Sequence, residues 1–511
     1  MYYLDSFLNR ITMYRLVLYY LAGLLGVAAI FGAVGIMPYN PAALLVSALI
    51  LVASCWGINR AIAGLFRIPT NTESSLITAL ILALIITPIS VWPLDQGGFW
   101  FLIAAAAFAM ASKYLIAFRR KHLFNPAAFG VAATAFVIGQ YASWWIGGNL
   151  PMLPFVLGGG FLVLRKIKRF DLAAAFFAAG IASILATNIG FDPVATVEKA
   201  AIHTSLLFFA FVMITEPLTT PPTRGLRIAY GALVGALFSP AIHLGPFYAT
   251  PELALLVGNI FSFAVSPKEK HILKLAAKEP AADGTYDFVF HPPRAIRFQP
   301  GQYFEWTLAH PDADARGNRR YFTIASSPTE PEFRIGVRFY DPPSSFKKAM
   351  LAMKPGDAVL AGSLAGDFLL PPDPREKLAF IAGGIGITPF RSMAKYLTDR
   401  QERRDVVLLY SNRRSNEIAY ADIFKAAESI GFKTVYAITG NAGNAPNGKN
   451  KQHHQHERIN STFIAREIPD YRERTFYISG PRSMIDGATA ALHSLGVRRS
   501  RIKTDFFPGF A

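Results

Sequence analysis

Phe380-Ile-Ala-Gly-Gly-Ile-Gly-Ile-Thr-Pro389 is an apolar run that breaks at three close glycines and then enters a helix-like segment, Phe390 to Thr398. Gly383, Gly384 and Gly386 let a backbone approach a pyrophosphate, and the start of a helix offers free N–H groups to it. The strand-like run before this turn is Leu378 to Ala382. Further on, Val406 to Tyr410 leads to Ala419 to Ile430, and Thr475 to Ile478 leads to Ser483 to Leu495. Strand-then-helix units of this kind predict a parallel α/β domain over 374–511. Upstream, over 267–373, short alternating runs are separated by Gly, Pro and Asp: Thr285 to Phe290, Tyr303 to Leu308, Phe322 to Ala325 and Phe333 to Phe339. They predict a β-barrel.

The rest of the chain has a different solvent. Of the 511 residues, 23 charged ones fall in 1–266 and 62 in 267–511. Apolar runs at 16–36, 42–57, 76–92, 99–118, 128–146, 151–164, 172–190, 201–214, 228–244 and 252–265 predict ten membrane spans, of which 151–164 and 201–214 are short enough to be re-entrant or broken. With a cytoplasmic start, the inner loops hold Arg10 and Arg15, Arg60 and Arg67, Arg119 to Lys121, Arg165 to Arg169, and Arg224 with Arg227; the outer loops hold only Lys199. That alternation follows the positive-inside rule, so the net charge of +17 needs no nucleic-acid partner. An even count, with no cleavable leader, puts both termini in the cytoplasm. Cys55 is the single cysteine, which excludes disulfides, zinc ribbons and cysteine-held iron–sulfur clusters built from this chain alone. His453, His454 and His456 lie in a Gly/Asn/Lys-rich stretch that reads as a solvated loop, so no metal site is expected.

Arg320-Tyr-Phe-Thr-Ile-Ala-Ser326 resembles the Arg-x-Tyr-(Ser/Thr) flavin motif of ferredoxin–NADP⁺ reductase-like proteins. Four further stretches resemble that family in order: Pro300-Gly-Gln-Tyr303, Gly362-Ser-Leu-Ala-Gly-Asp-Phe368, Tyr477-Ile-Ser-Gly-Pro-Arg-Ser-Met484 and Asp505-Phe-Phe-Pro-Gly-Phe510. The resemblance covers nearly all of 267–511 and implies FAD and NAD(P)H as cofactors. It implies that Phe322 stacks on the flavin, that Arg320 and Thr323 meet its phosphate and ring, and that Tyr321 and Val337 belong to the same site. Ser344 and Ser345 precede a helix-like stretch, Phe346 to Met353, and match the place of the FAD pyrophosphate; a plain N-cap is the alternative. Gly383, Gly384, Gly386, Thr388, Pro389, Gly480, Pro481 and Met484 would frame the nicotinamide nucleotide, with Thr388, Ser479 and Phe510 at the reacting ring. Phe322 stands in place of the usual tyrosine and Ser479 in place of a common cysteine. Ser411-Asn-Arg-Arg414, with Ser411 and Arg413 foremost, reads equally as a 2′-phosphate site for NADPH or as an ordinary basic loop.

In the first half, Lys121-His-Leu-Phe-Asn-Pro-Ala-Ala-Phe-Gly130 resembles a helix-opening motif of one family of membrane subunits. That family comprises the FMN-carrying membrane subunits of the sodium-translocating NADH:quinone reductase and of the Rnf complex. Asn71 to Pro88, with Ser74-Ser-Leu-Ile-Thr-Ala-Leu80, and Phe211-Val-Met-Ile-Thr-Glu-Pro217 followed by Thr219 to Gly225 resemble it too. The resemblance covers most of 60–265 and implies two inverted five-helix repeats around a flavin site that includes Asn125, Pro126 and Glu216. Its covalent FMN threonine has no counterpart, since Gly139 to Leu150 contains no threonine, so a non-covalent FMN or riboflavin is expected. Asn125, Asn188, His203, Glu216 and Asn259 are the expected buried polar residues. Glu216 is a functional candidate by its cost in lipid, or else a loop carboxylate paired with Arg224 or Arg227.

The combined expectation is a three-part chain: 1–266 a transmembrane flavin-binding domain, 267–373 an FAD-binding barrel, and 374–511 an NAD(P)-binding domain. It would sit in a bacterial inner membrane and pass electrons from NAD(P)H through FAD and a membrane flavin to a quinone or an extracytoplasmic, flavinylated acceptor. Two alternatives stand beside it. A haem-type ferric or oxygen reductase would need well-placed histidines, and this half offers His122, His203 and His243. A redox-coupled transporter or ion pump is the other.

Overall fold

The computed structural model describes residues 8, 11–66, 72–118, 121–245, 247–266, 270–292, 294–310, 314, 317–440, 454–455 and 457–505. The chain divides into two units, Met1–Lys270 and His271–Ala511.

The first unit is helical: α1 Met13–Ala33, α2 Pro41–Phe66, α3 Thr72–Ile85, α4 Gln96–Leu115, α5 Pro126–Ile138, α6 Leu153–Ile167, α7 Phe170–Thr187, α8 Pro193–His203, α9 Arg224–Ala236 and α10 Pro251–Val265. Five helical segments are long and apolar enough to cross a membrane: α1, α2, α4, α7 and Leu150–Ile167, in which a 3-10 turn extends α6. The stretch 151–164 is therefore not the short segment its apolar run suggested, because the helix continues through Arg165 and Lys166 to Ile167. The stretch 201–214 is broken: α8 and Leu206–Met213 meet at a bend of 67°, and Phe209–Met213 is a π-helix. The runs drawn at 76–92, 128–146 and 252–265 hold only the shorter helices α3, α5 and α10.

A helix ending inside an apolar layer leaves carbonyls without partners, and these must be met from within the protein. At the end of α3 the loop after α5 meets them. The Trp144 N–H donates to the Ile85 carbonyl at 2.8 Å and the Ile146 N–H to that of Leu84 at 3.3 Å. The Trp145 indole donates to Ala83 and Ile86 at 3.0 and 3.1 Å. Small residues let helices touch backbone to backbone, a packing suited to lipid, where burial alone drives little association. A Cβ on Gly235 of α9 would lie 2.4 Å from the Phe176 carbonyl of α7, and one on Gly231 would lie 2.6 Å from that of Leu172.

The second unit holds two six-stranded sheets. The first is antiparallel, from β1 His271–Ala282, β2 Thr285–His291, β3 Tyr303–Thr307, β4 Arg319–Thr323, β5 Phe333–Arg338 and β6 Ala358–Ala365, in the order β4-β3-β6-β1-β2-β5. Helix α11, Ser345–Ala352, packs Phe346 and Met350 into its core with Phe288, Trp306 and Phe333. The Gly362-to-Phe368 turn lies partly inside β6, with an irregularity between Gly362 and Ala365. The second sheet is parallel: β7 Leu378–Gly383, β8 Val406–Asn412, β9 Phe432–Ile438, β10 Thr475–Ser479 and β11 Ile502–Thr504, ordered β9-β8-β7-β10-β11 with the two-residue strand His454–Gln455 beside β9. Its helices are α12 Thr388–Asp399, α13 Ala421–Ala427, α14 Ser461–Glu467 and α15 Arg482–Ser494. The helix expected over Ala419 to Ile430 is shorter, since Tyr420 takes a left-handed φ of 60° and the last turn, Glu428–Ile430, is 3-10. β7 is fully buried and lies where the strand order reverses, so the crevice for a ligand opens at its carboxyl end.

Candidate functional site

Parallel register alone assembles the nucleotide end of the second unit. Gly383 stands opposite Ser411 and Ala382 opposite Ser479, so three strand ends open side by side. Gly384–Ile387 forms a 3-10 turn that hands β7 to α12, and Gly384 has a left-handed φ of 51°. A Cβ on Gly386 would lie 2.4 Å from the Ser479 carbonyl and 2.6 Å from Gly480 Cα. Met484 closes over the same place, 2.4 Å from a Cβ on Gly383, with Pro481 alongside. Thr388 and Pro389 are buried at the first turn of α12, where the Thr388 hydroxyl donates to the Ile385 carbonyl at 3.2 Å. The Ser479 hydroxyl donates to Asp505 Oδ2 at 3.0 Å. Phe510 lies outside the described residues, as do His453 and His456.

The first sheet brings together a second group. Arg320, opposite Trp306 on β3, carries its guanidinium 5.1 Å above the Phe346 ring and donates to Asp314 Oδ1 at 3.3 Å. The other Asp314 oxygen accepts from the Ser345 N–H at 3.4 Å, at the N-terminus of α11. Ser344 is the N-cap, its hydroxyl accepting from the Lys347 N–H at 3.3 Å. Ser345 Oγ accepts from the Asp314 N–H at 3.0 Å. A cavity of about 950 Å³, whose lining includes His310, Asp314, Ser344, Ser345 and Lys348, opens here. It has the size and donors for a nucleotide cofactor. Phe322 is half-buried, 6.1 Å from Phe346. Thr323 is buried, the Tyr321 hydroxyl donates to Glu305 at 2.8 Å, and the Val337 side chain packs in the sheet core.

Reading the sequence motif by motif missed the seam between the two sheets. A Cβ on Gly336 of β5 would lie 2.4 Å from the Tyr420 hydroxyl, 2.9 Å from Thr388 Cγ2 and 3.2 Å from Ile385 Cδ1. The Tyr420 hydroxyl donates to Asp287 of β2. Burial pushes the Asp287 carboxyl above its usual range, against the opposing effects of Tyr420, Arg391 and Arg334. Arg391 donates to Glu330 Oε1 at 2.8 Å and to the Ala325 carbonyl at 2.9 Å. Arg338 pairs with Glu417 at 2.7 Å. Burial works to raise the Glu417 carboxyl, but the Arg338 hydrogen bond and charge outweigh it and hold it below the ordinary value. A glycine between Ile335 and Val337 in an alternating strand was the available signal, since glycine inside a strand marks a close approach.

In the first unit Asn125 caps α5 and ties three segments together. Its N–H donates to Asn259 Oδ1 at 2.7 Å and its side chain to Glu216 Oε2 at 2.9 Å. Thr219 also donates to Glu216, at 3.1 Å, and His122 Nε2 lies 3.6 Å from its other oxygen. Arg227 pairs with Asp171 at 3.0 Å. Three expected buried groups are not buried: His203 is exposed at the end of α8, Asn188 is a half-buried C-cap whose side chain donates to the Ile184 carbonyl, and Glu216 is half-buried. The cavity beside Asn125, Pro126 and Glu216 is about 60 Å³, room for about two waters and not for a three-ring isoalloxazine.

Residues 271–511 form an NAD(P)H-dependent FAD oxidoreductase unit, and the first unit holds five apolar helices long enough to cross a membrane. Residues 380–490 match the oxidoreductase NAD-binding domain family. The chain is 29% identical over 216 residues to a flavohemoprotein of Bacillus cereus, covering 41% of this chain and 53% of that one. It is 27% identical over 247 residues to the stachydrine N-demethylase reductase subunit Stc4 of Rhizobium meliloti, covering 47% and 68%. The chain thus spans about half the length of the flavohemoproteins it matches. Among solved structures, the flavohem-like FAD/NAD-binding domain of nitric oxide dioxygenase from Vibrio cholerae aligns at 21% identity with a TM-score of 0.40, covering 46% of this chain and 98% of that one.

Proposed function

We propose that the protein is a membrane-bound NAD(P)H-dependent FAD oxidoreductase. In this reading residues 267–373 hold FAD, residues 374–511 hold the nicotinamide nucleotide, and residues 1–266 deliver electrons to a quinone or an acceptor across the bilayer. The observation that carries it is the pairing, in one chain, of the β7 glycine turn with five helices able to span a membrane. FAD would rest on Arg320, Ser344, Ser345 and the N-terminus of α11, with Phe322 at the ring and Thr323 beside it. Bound there, it supplies two-electron acceptance from nicotinamide and one-electron release. The chain's own part is to seat the nucleotide phosphates on the Gly383–Gly386 turn and exclude water with Thr388, Pro389 and Met484.

Orientation with both termini in the cytoplasm rests on the inner placement of basic residues. The likeness to the membrane subunits of the sodium-translocating reductase and the Rnf complex would add a non-covalent flavin near Asn125, Pro126 and Glu216. Those residues leave too little room for one, so no electron step is routed through them. Anaerobic titration of the purified protein with NADH or NADPH, counting flavins bleached per chain, tests both halves: one FAD bleached supports the reductase alone, two support a membrane flavin, and none refutes the reading. The haem alternative gains from the flavohemoprotein relatives, yet it lacks a histidine pair among the described residues, with His203 at the end of α8 and His243 in a hairpin strand. A Soret band would restore it.

Glu216→Gln is expected to keep FAD content and FAD reduction by NAD(P)H and to lower the melting temperature by about 2–4 °C, since it takes the charge out of the half-buried hydrogen bonds with Asn125 and Thr219 that tie segments of the first unit together. An unchanged melting temperature would show that these hydrogen bonds do not hold the segments together. Arg413 and Arg414 are exposed, and their side chains have no partner among the described residues, which supports NADPH as donor. Replacing both with alanine is expected to raise KM for NADPH about tenfold or more and leave KM for NADH unchanged, since a charge-assisted phosphate contact contributes about 1.5–3 kcal/mol. An equal rise for both nucleotides would assign the loop no role in selecting the phosphate.

A further inference from the structure

The seam around Gly336 carries an inference that rests on the reductase reading above and extends it to a residue outside the nucleotide motifs. Three groups converge on the one position of β5 that has no side chain: Ile385 and Thr388 from the glycine turn, and the Tyr420 hydroxyl from the start of α13. Tyr420 is buried, and its backbone is held in the left-handed region, so its ring has a fixed path into the seam. Its hydroxyl donates to Asp287 on β2, the strand paired with β5, where Asp287 stands directly opposite Gly336. Arg391 of α12 lies 5.6 Å from the Tyr420 ring centre and reaches back to Glu330 and the Ala325 carbonyl of the flavin sheet. The seam is therefore closed by a tyrosine–carboxylate bond over a glycine, next to the turn that would carry nicotinamide.

We propose that Tyr420 is a positioning residue for hydride transfer. Through its bond to Asp287 it sets how deeply the Ile385–Thr388 turn seats against the flavin sheet, and so the distance from nicotinamide to flavin. It donates no proton to the reaction and touches neither ring. Removing the hydroxyl frees the turn by a fraction of an ångström, and hydride transfer is steep in that distance.

The test is stopped-flow reduction of FAD in the full-length protein under anaerobic conditions. Wild type, Tyr420→Phe and Asp287→Asn are compared with protiated and 4-deuterated NAD(P)H. Tyr420→Phe is expected to keep its FAD content and its nucleotide affinity. The hydride step should slow about tenfold, with a weaker flavin–nicotinamide charge-transfer band and a larger deuterium isotope effect. Asp287→Asn, whose amide oxygen still accepts from the tyrosine, is expected to stay within about threefold of wild type. Equal rates and equal charge-transfer bands in wild type and Tyr420→Phe would overturn the proposal. So would a loss in Tyr420→Phe that appears only as lost FAD or raised KM. A wild-type protein that NAD(P)H fails to bleach would instead refute the reductase reading itself.

Discussion

Arg320→Leu is expected to purify without its flavin and to bind added FAD about 100-fold more weakly than wild type. Arg320 sits on β4 with its guanidinium against Phe346 and Asp314, beside the N-terminus of α11. An anion placed there gains the guanidinium fork, the Ser345 N–H and the positive end of a helix. The Asp314 carboxylate accepts from both donors, and an FAD phosphate would take its place there. Losing charge-assisted bonds of about 1.5–3 kcal/mol each accounts for the 100-fold. Arg320→Lys keeps the charge without the planar fork and should fall between the two. The ratio of flavin to protein absorbance, with calorimetric FAD titration, checks this; a wild-type flavin content in Arg320→Leu would remove Arg320 from the site.

The second large effect is expected at Gly386. A methyl there meets the Ser479 carbonyl at 2.4 Å and Gly480 Cα at 2.6 Å, and both are backbone atoms that give way only if a loop moves. Gly386→Ala should therefore retain FAD, whose proposed seat is on the other sheet, while FAD reduction by NAD(P)H falls about 100-fold, as a shift of about 1 Å at a reacting centre does. Two controls grade the cause. Gly383→Ala meets mainly the flexible end of Met484 and should lose less, and Gly487→Ala, with nothing near it in α15, should lose nothing. Equal rates for Gly386→Ala and Gly487→Ala would show that the two loops do not need their close approach.

Much of this architecture was legible along the chain because its signals are local. A glycine turn after an apolar strand needs only its neighbours to be recognised, and β7, its 3-10 turn and α12 lie where Phe380 to Thr398 put them. Three alternating runs became β2, β3 and β5, the fourth, Phe322 to Ala325, overlaps β4 only at Phe322 and Thr323, and Ser344 is the N-cap its position before α11 allowed. The strands β1, β6, β9 and β11 were not drawn; β1 contains Pro280, and β11 has only three residues, too few for a pattern. Hydropathy marked where apolar chain lies in the first unit, but not where helices stop. Capping of α3 by Trp144 and Trp145 depends on residues about sixty positions away.

Partnership between distant polar groups is the other thing no local pattern carries. Asn125 and Glu216 were each suspected, yet their bond spans 91 positions, and that between Tyr420 and Asp287 spans 133. Solvent preference, turn chemistry and the phosphate-ready glycines are properties of neighbouring residues, so they were readable before folding. Which carboxylate meets which hydroxyl, and where each apolar helix ends, depends on packing that satisfies buried polar groups together. That condition exists only when the whole chain has closed on itself.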